Sequence, residues 1–266
     1  MTLPTVFLPH GAGPCFFMEW TRGPADAWDR TAAYLQGLVA SLPERPKAIL
    51  VVSGHWEAPV FTVGSGKWPA LDFDYYGFPK HTYELTFGAP GSPGLARRIR
   101  KLLDAAGIAS AEDAEHGWDH GVFVPLKLVT PDADIPVVQL SLKADLNPEA
   151  HLAAGRALAP LRDEGVLIVG SGMSWHNMRG FSPAFTERSA EFDRWLEGAV
   201  TDPANREAAL AHWDSAPYGR EAHPREEHLL PLMVAAGAAP GEPAVVAFRD
   251  TVMDVVVSAV EFGRAA

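Results

Sequence analysis

Three apolar, β-branched runs constrain this chain more than anything else in it. They are "TVFLP" (5–9), "AILVVSG" (48–54) and "VLIVGSG" (166–172), and each leads into a histidine: His10, His55 and His176. Runs of this length without polar alternation fit strands buried on both faces, as in a parallel sheet. Parallel strands need long crossovers, and the intervening segments supply them. Residues 24–42 place Trp28, Ala32, Leu35 and Leu38 at helical spacing. Ser92 followed by Pro93 reads as the start of a helix that stops at Gly107. Residues 147–161, 183–200, 203–213 and 226–239 are also expected to be helical, and 59–65, 135–142, 244–250 and 252–260 to be strands. This alternation predicts an α/β fold, with one domain over residues 1–266 and a central, largely parallel or mixed sheet flanked by helices. No repeat, low-complexity segment or linker divides the chain. Residues 66–91 are rich in Pro, Gly and aromatics, so they read as a long ordered loop.

Composition narrows the partners. A net charge of −11 argues against nucleic acid or an anionic membrane surface. The one cysteine, Cys15, excludes an intrachain disulfide and is expected to be a buried structural thiol. The first residues lack a basic n-region, and Pro9, His10 and Gly11 break the apolar run, so no signal peptide is expected. Nothing approaches the ~18 uninterrupted apolar residues of a membrane-spanning helix. These features predict a cytoplasmic protein and leave its oligomeric state open.

The histidines carry the functional signal. In open α/β sheets ligands bind beyond the carboxyl ends of the strands. His10, His55 and His176 are each expected just past such an end, so three strands could present three imidazoles to one crevice. One histidine in a turn is more often hydrogen-bonded than functional; three in the same topological position point to a shared site. His120 lies in "WDHGVFVPL", with Asp119 placed to cap a helix. In "EAHPREEHLLPL", His223 reads as part of a solvated helix start, while His228 borders an apolar run and reads as inward-facing. His81, His116, His151 and His212 read as surface or hydrogen-bonded residues. H-E-x-x-H, C-x-x-C and a phosphate-binding loop are all absent from the sequence. Ser171 and Ser174 in "GSGMSWHN" do not form a nucleophile elbow, which leaves a serine hydrolase as a weak alternative.

An ordered set of motifs extends these readings. "LPHGAGP" (8–14), "VVSGHWE" (51–57), "FDYYGFP" (73–79), "DHGVFVPL" (119–126), "IPVVQLSL" (135–142), "DEGVLIVGSGMSWHNMR" (163–179) and "AHPREEHLLPL" (222–232) occur in that order. Together they resemble the class III extradiol ring-cleavage dioxygenases, and within them the DOPA 4,5-dioxygenase branch. The resemblance implies one α/β domain holding a non-haem Fe(II), with zinc common in purified members. It implies His10, His55 and His228 as metal ligands, with Glu227 an alternative third ligand, since a related branch uses glutamate there. His176 falls on the acid–base position and is a potential extra ligand at rest. His120 falls on a second substrate-contacting histidine. Gly54 departs from the alanine usual in the "S-A-H-W" motif. Trp175 and Phe16 are expected to help wall an apolar pocket for the ring.

The implied reaction inserts both atoms of O₂ into a catecholic ring and yields a ring-opened semialdehyde acid. Three imidazoles suit Fe(II) and leave coordination positions open. His176, as an imidazole, suits proton transfer in both directions. Two rivals remain at this level: a zinc-dependent hydrolase on the same cluster, and a non-catalytic metal-binding relative.

Overall fold

The computed structural model describes residues 1–264; the last two residues of the expected 1–266 unit lie outside the described residues. In chain order the elements are β1 (Thr5–Pro9), α1 (Asp29–Ser41), β2 (Ala48–Ala58), β3 (Phe61–Gly64), α2 (Pro93–Ala105), β4 (Ser110–Asp113), α3 (His120–Val129) and β5 (Val137–Lys143). They continue with α4 (Pro148–Leu158), β6 (Val166–Gly172), α5 (Thr186–Thr201), α6 (Arg206–Ala211), α7 (Gly219–Ala222), α8 (Leu230–Gly237), β7 (Ala244–Val252) and β8 (Val255–Phe262). All eight strands form one mixed sheet in the order β4-β3-β5-β2-β6-β1-β8-β7. The centre, β5-β2-β6-β1, is parallel throughout. Antiparallel pairs join β3 to β5, β1 to β8 and β8 to β7.

The central strands are apolar because both faces are covered. Phe7, Leu50, Val52 and Ile168 pack on one side, into a core completed by α2, α4, α5 and α8. Their neighbours Val6, Leu8, Ile49, Val51, Leu167 and Val169 pack on the other, against α1, α3 and aromatics of the 66–91 loop. Period-two alternation between two buried faces leaves no polar position, which explains the unbroken runs. No helix among the described residues is long and apolar enough to cross a membrane.

Local signals account for most boundaries. Ser92 caps α2 by accepting the Leu95 N–H at 3.3 Å, with Pro93 in the first turn. Asn147 caps α4 in the same way, accepting from Ala150 at 3.0 Å. Residues 66–91 form the expected long loop, broken by one 3-10 turn at Lys80–Glu84 and pinned to the body by a bridge between Leu71 and Trp118. One strand carried no apolar signal: β4, "SAED", is a polar edge strand beside β3. Asp119 stands at the N-cap position of α3 but makes no capping bond. Its carboxylate accepts from Ser53 Oγ (2.7 Å) and Gln139 Nε2 (2.5 Å) instead.

Candidate metal centre and active-site cavity

The parallel centre of the sheet delivers three segments to one rim. His10 follows β1 directly, and its N–H donates to the Gly172 carbonyl at 3.0 Å, tying the ends of β1 and β6 together. The chain then turns through Gly11 and Gly13, with φ of 87° and 55°, values in the left-handed region that favours glycine. The Cys15 thiol accepts the Ala12 N–H at 3.3 Å inside that turn. Burial pushes the thiol far above its ordinary value, which suits the structural role expected for it. His55 does not lie past the end of its strand. β2 continues to Ala58, and the pairing with β5 shifts register between Val52 and Glu57, so His55 sits in a bulged stretch at the rim.

His120 is the first residue of α3, and His176 comes four residues beyond the end of β6. His228 precedes α8 and is held against β6, where Met173 N–H donates to its carbonyl at 3.1 Å. A Cβ on Gly172 would overlap that same carbonyl. Gly54 does similar service on β2: a Cβ there would lie 3.0 Å from the Glu227 carbonyl oxygen and 3.3 Å from His228 Cα. Two glycines therefore allow the His228 segment to lie directly on the strand ends.

The five histidines form one cluster. Ring centroids of His10, His55 and His228 are 5.0 Å, 5.1 Å and 4.6 Å apart pairwise. His120 stands 4.0 Å from His55 and 5.3 Å from His10. His176 stacks on His228 at 3.4 Å with 14° between the rings. Ligand atoms of His10, His55 and His120 come within 4.8 Å of one another, as do those of His176, Glu227 and His228.

Two carboxylates set the ring orientations. Asp74 Oδ1 accepts from both the backbone N–H and Nδ1–H of His120, at 2.9 and 2.8 Å. Its Oδ2 lies 3.4 Å from His55 Nδ1. Burial alone would raise the Asp74 carboxyl, but the His120 hydrogen bond and the two imidazoles outweigh it and hold it below the usual range. Glu227 Oε1 accepts from His228 Nδ1–H at 2.9 Å and lies 3.5 Å from His176 Nδ1. Its carboxyl is likewise held low, because the His176 contact and Arg225 outweigh its burial. The tautomers that donate from Nδ1 of His55 and His228 to these carboxylates leave a lone pair on each Nε2, and the two Nε2 atoms lie 3.1 Å apart. Neither ring nitrogen of buried His10 has a partner. Burial and then neighbouring imidazoles push His10 and His228 well below the ordinary histidine value, and burial and His120 push His55 to about 3. Converging neutral imidazoles with unpaired nitrogens fit a divalent cation, which would resolve the repulsion between lone pairs.

The cluster opens on a cavity of about 490 Å³, a size suited to one substituted aromatic ring. His10, His55, His120, His176 and His228 all line it, with Tyr75, Tyr76 and Phe78 from the long loop. Two expected wall residues are elsewhere. Trp175 is fully buried in the core against Phe185 and Phe192, because the chain beyond β6 turns its indole away from the rim. Phe16 lies one layer behind the wall, packed on Gly11 and on Trp28. His223 is not solvated as expected; it is fully buried beside Phe192 and Trp213, with Nε2 3.0 Å from the Ser174 carbonyl. His151 is buried and hydrogen-bonded at both nitrogens, to Asn147 O and Lys143 N. Ser171 Oγ donates to the Gly121 carbonyl, and Ser174 Oγ accepts from Ser258 N–H, so both hydroxyls are committed to the fold. Asp74 was not singled out from the sequence; the signal was a lone acid inside the aromatic-rich "FDYYGFP".

Residues 4–259 match the family model described as the catalytic LigB subunit of aromatic ring-opening dioxygenase. The chain belongs to the LigB family. Among curated relatives, a 4,5-DOPA dioxygenase extradiol of Beta vulgaris is 45% identical over 200 residues, covering 74% of each chain. The protein of the same description from Escherichia coli K12 is 35% identical over 257 residues, covering 91% of this chain and 88% of that one. The crystal structure of an uncharacterized Escherichia coli K12 protein superposes with a TM-score of 0.75 at 31% identity, covering 98% of this chain and all of the other. This LigB-family protein is an extradiol-type aromatic ring-opening dioxygenase. Membership also implies an aromatic substrate and O₂, and the histidine–glutamate cluster supplies metal-binding capacity.

Proposed function

We propose that the protein binds Fe(II) through His10, His55 and His228 and opens a DOPA-like catechol beside its diol, giving a semialdehyde acid. The observation that carries the ligand set is the facing pair of Nε2 atoms on His55 and His228, 3.1 Å apart, beside the unpartnered ring of His10. Fe(II), when bound, would supply Lewis acidity and the electrons that let O₂ react with a singlet ring. In this reading Glu227 is not a ligand, since its Oε1 is engaged by His228 Nδ1–H.

His176 borders the cavity and has Glu227 behind its Nδ1, so its Nε2 acts on substrate. It takes the proton of a catechol hydroxyl as the diol binds and returns one to the departing oxygen later. His120, fixed through Nδ1 by Asp74, presents Nε2 to the substrate oxygens as an oriented hydrogen-bonding group. Tyr75 and Phe78 cover the ring and exclude water. We take the compartment to be the cytoplasm, because the single buried cysteine leaves no disulfide for an oxidising compartment to form.

The decisive experiment is anaerobic loading with Fe(II), followed by a panel of catechols in air. The expected result is oxygen consumption and a yellow product heavier than its substrate by two oxygen atoms. A zinc-loaded protein that turns over the panel without consuming oxygen would overturn the reading.

A further inference from the structure

Among the described residues, two histidines are fully buried away from the cavity lining, His151 and His223. His151 has a partner at each nitrogen. His223 has one at Nε2 alone, and its buried Nδ1 has none. The ring meets Phe192 and Trp213 at centroid distances of 5.7 and 5.8 Å. Such an aromatic box suits an apolar side chain, and a buried nitrogen without a partner carries a desolvation cost. That cost makes the bond at the other nitrogen informative. Nε2 lies 3.0 Å from the Ser174 carbonyl. A carbonyl only accepts, so Nε2 carries the proton and Nδ1 is the bare nitrogen. Burial holds the pKa of the ring down at about 3, which keeps it neutral.

Ser174 stands two residues before His176, on a stretch that is neither helix nor strand. Four hydrogen bonds clip this stretch to the one that leads into α8. The N–H groups of Met173 and His176 donate to the carbonyls of His228 and Ala222, at 3.1 and 3.0 Å. Asn177 Nδ2 donates to the Glu221 carbonyl at 2.8 Å. The fourth is the bond from His223 to Ser174, the one made by a fully buried side chain. Ser174 is also pinned from the sheet, since its Oγ accepts the Ser258 N–H at 2.8 Å. One clipped stretch carries His176, and the other carries Glu227 and His228. Their register sets the 3.4 Å stack of His176 on His228 and the 3.5 Å approach of His176 Nδ1 to Glu227. A side chain on an irregular segment keeps its working geometry only through such supporting bonds.

We propose that His223 is a positioning residue for the reaction: its Nε2–H, on the Ser174 carbonyl, holds the stretch that carries His176 in register with the stretch that carries Glu227 and His228. This rests on the reading of His176 as the acid–base residue, and adds what holds that residue in place. His223 lies outside the cavity lining and takes no part in the bond changes.

The test compares His223→Gln with His223→Asn. Both bring a neutral amide, but only glutamine carries its N–H as far along the side chain as Nε2. In iron-loaded protein, kcat per bound iron should fall about 10–100-fold in His223→Asn, the range for a displaced catalytic group, and stay within about threefold in His223→Gln. KM for the catechol and metal affinity by chelator competition should hold within about threefold in both, since Met173 and Glu227 still fix His228. A role in fold stability alone would lower the folded fraction and leave kcat per bound iron unchanged. Metal-free protein gives a readout without turnover. Hydrogen exchange at the His176 N–H, followed by NMR, should quicken at least about 10-fold in His223→Asn, beyond any change at Ile168 in β6, and not in His223→Gln. A kcat per bound iron that falls equally in both variants, or in neither, overturns the proposal. If His223→Asn does not fold, His223→Leu, which fills the box without an N–H, replaces it in the same comparison. A wild type that opens no catechol overturns the ring-opening reading alone. Exchange at His176 then decides the clip: faster in His223→Asn keeps it, and unchanged overturns it.

Discussion

Asp74→Asn tests the site through a residue that stands behind the cavity lining. Asp74 Oδ1 accepts two N–H groups of His120, and Oδ2 faces His55 Nδ1 at 3.4 Å. An asparagine can keep its oxygen on His120, but its NH₂ then confronts the Nδ1–H of His55, donor against donor. His55 escapes by moving its proton to Nε2, the atom that faces His228 Nε2. The substitution therefore removes a lone pair from the proposed metal centre without replacing a proposed ligand. Turning two charge-assisted hydrogen bonds into neutral ones costs about 1 kcal/mol each. Loss of an outer-shell partner of a metal-bound histidine costs about 10–100-fold in metal affinity. Asp74 is 22% exposed, so solvent screens part of this, and the lower half of that range is expected. Chelator competition with Co(II) or Zn(II) measures the affinity, and kcat/KM on an iron-loaded sample measures the rest. Thermal unfolding should drop by a few degrees, in line with about 2 kcal/mol. A variant that binds metal within twofold of wild type and keeps its kcat/KM would refute the positioning role.

Other outcomes follow from the same geometry. His10→Ala and His228→Ala should each abolish metal retention after gel filtration, while His120→Ala should keep the metal; the reverse pattern would exchange His228 for His120 in the ligand set. His176→Ala should retain full metal by elemental analysis and lose turnover, and unchanged activity would remove its acid–base role. Burial holds His223 at about 3 and His151 at about 4, both below an unfolded value near 6.5. The unfolded chain thus takes up these protons first, so stability is complete above about pH 6.5 and falls below it by about 1.4 kcal/mol per pH unit for each group. Urea midpoints measured between pH 7 and 5 should show this decline, and His223→Asn should lessen its slope.

The parts that the sequence made legible are those whose cause is local. Unbroken runs such as "AILVVSG" record burial on both faces, and Ser92 and Asn147 announce their helices by capping them. His10 and His176 were legible for a topological reason, since strand ends in a parallel sheet share a rim. The bulge that keeps His55 inside β2 was not, because a register shift against β5 depends on the partner strand. Asp74 and the burial of His223 arise from contacts more than forty residues apart in sequence, where neither periodicity nor spacing speaks. Trp175 shows the opposite error: adjacency to His176 suggested a pocket wall, but the indole is fully buried against Phe185 and Phe192.

The two carboxylates explain how an apolar rim can hold five imidazoles. Asp74 arrives on the long loop and serves His120 and His55; Glu227 precedes α8 and serves His228 and His176. In the proposed assignment each acid orients one ligand and one histidine that faces substrate. Against the upward push of burial, Asp74 is held low by His120 and His55, and Glu227 by His176 and Arg225. Arg225 adds a tether to Glu227, at 3.4 Å, and binds Glu57 on β2 as well. His10 alone has no carboxylate, and its orientation comes from packing: the positive-φ turn at Gly11, the Cys15 thiol beside it and the Phe16 ring behind. A ligand positioned by packing tolerates no change of volume in the turn, whereas one positioned by a carboxylate tolerates no change of charge. Gly11→Ala should therefore cost metal binding as surely as Asp74→Asn, with an added loss of fold stability that Asp74→Asn does not approach. A Gly11→Ala protein with wild-type metal affinity would show that His10 needs no such turn.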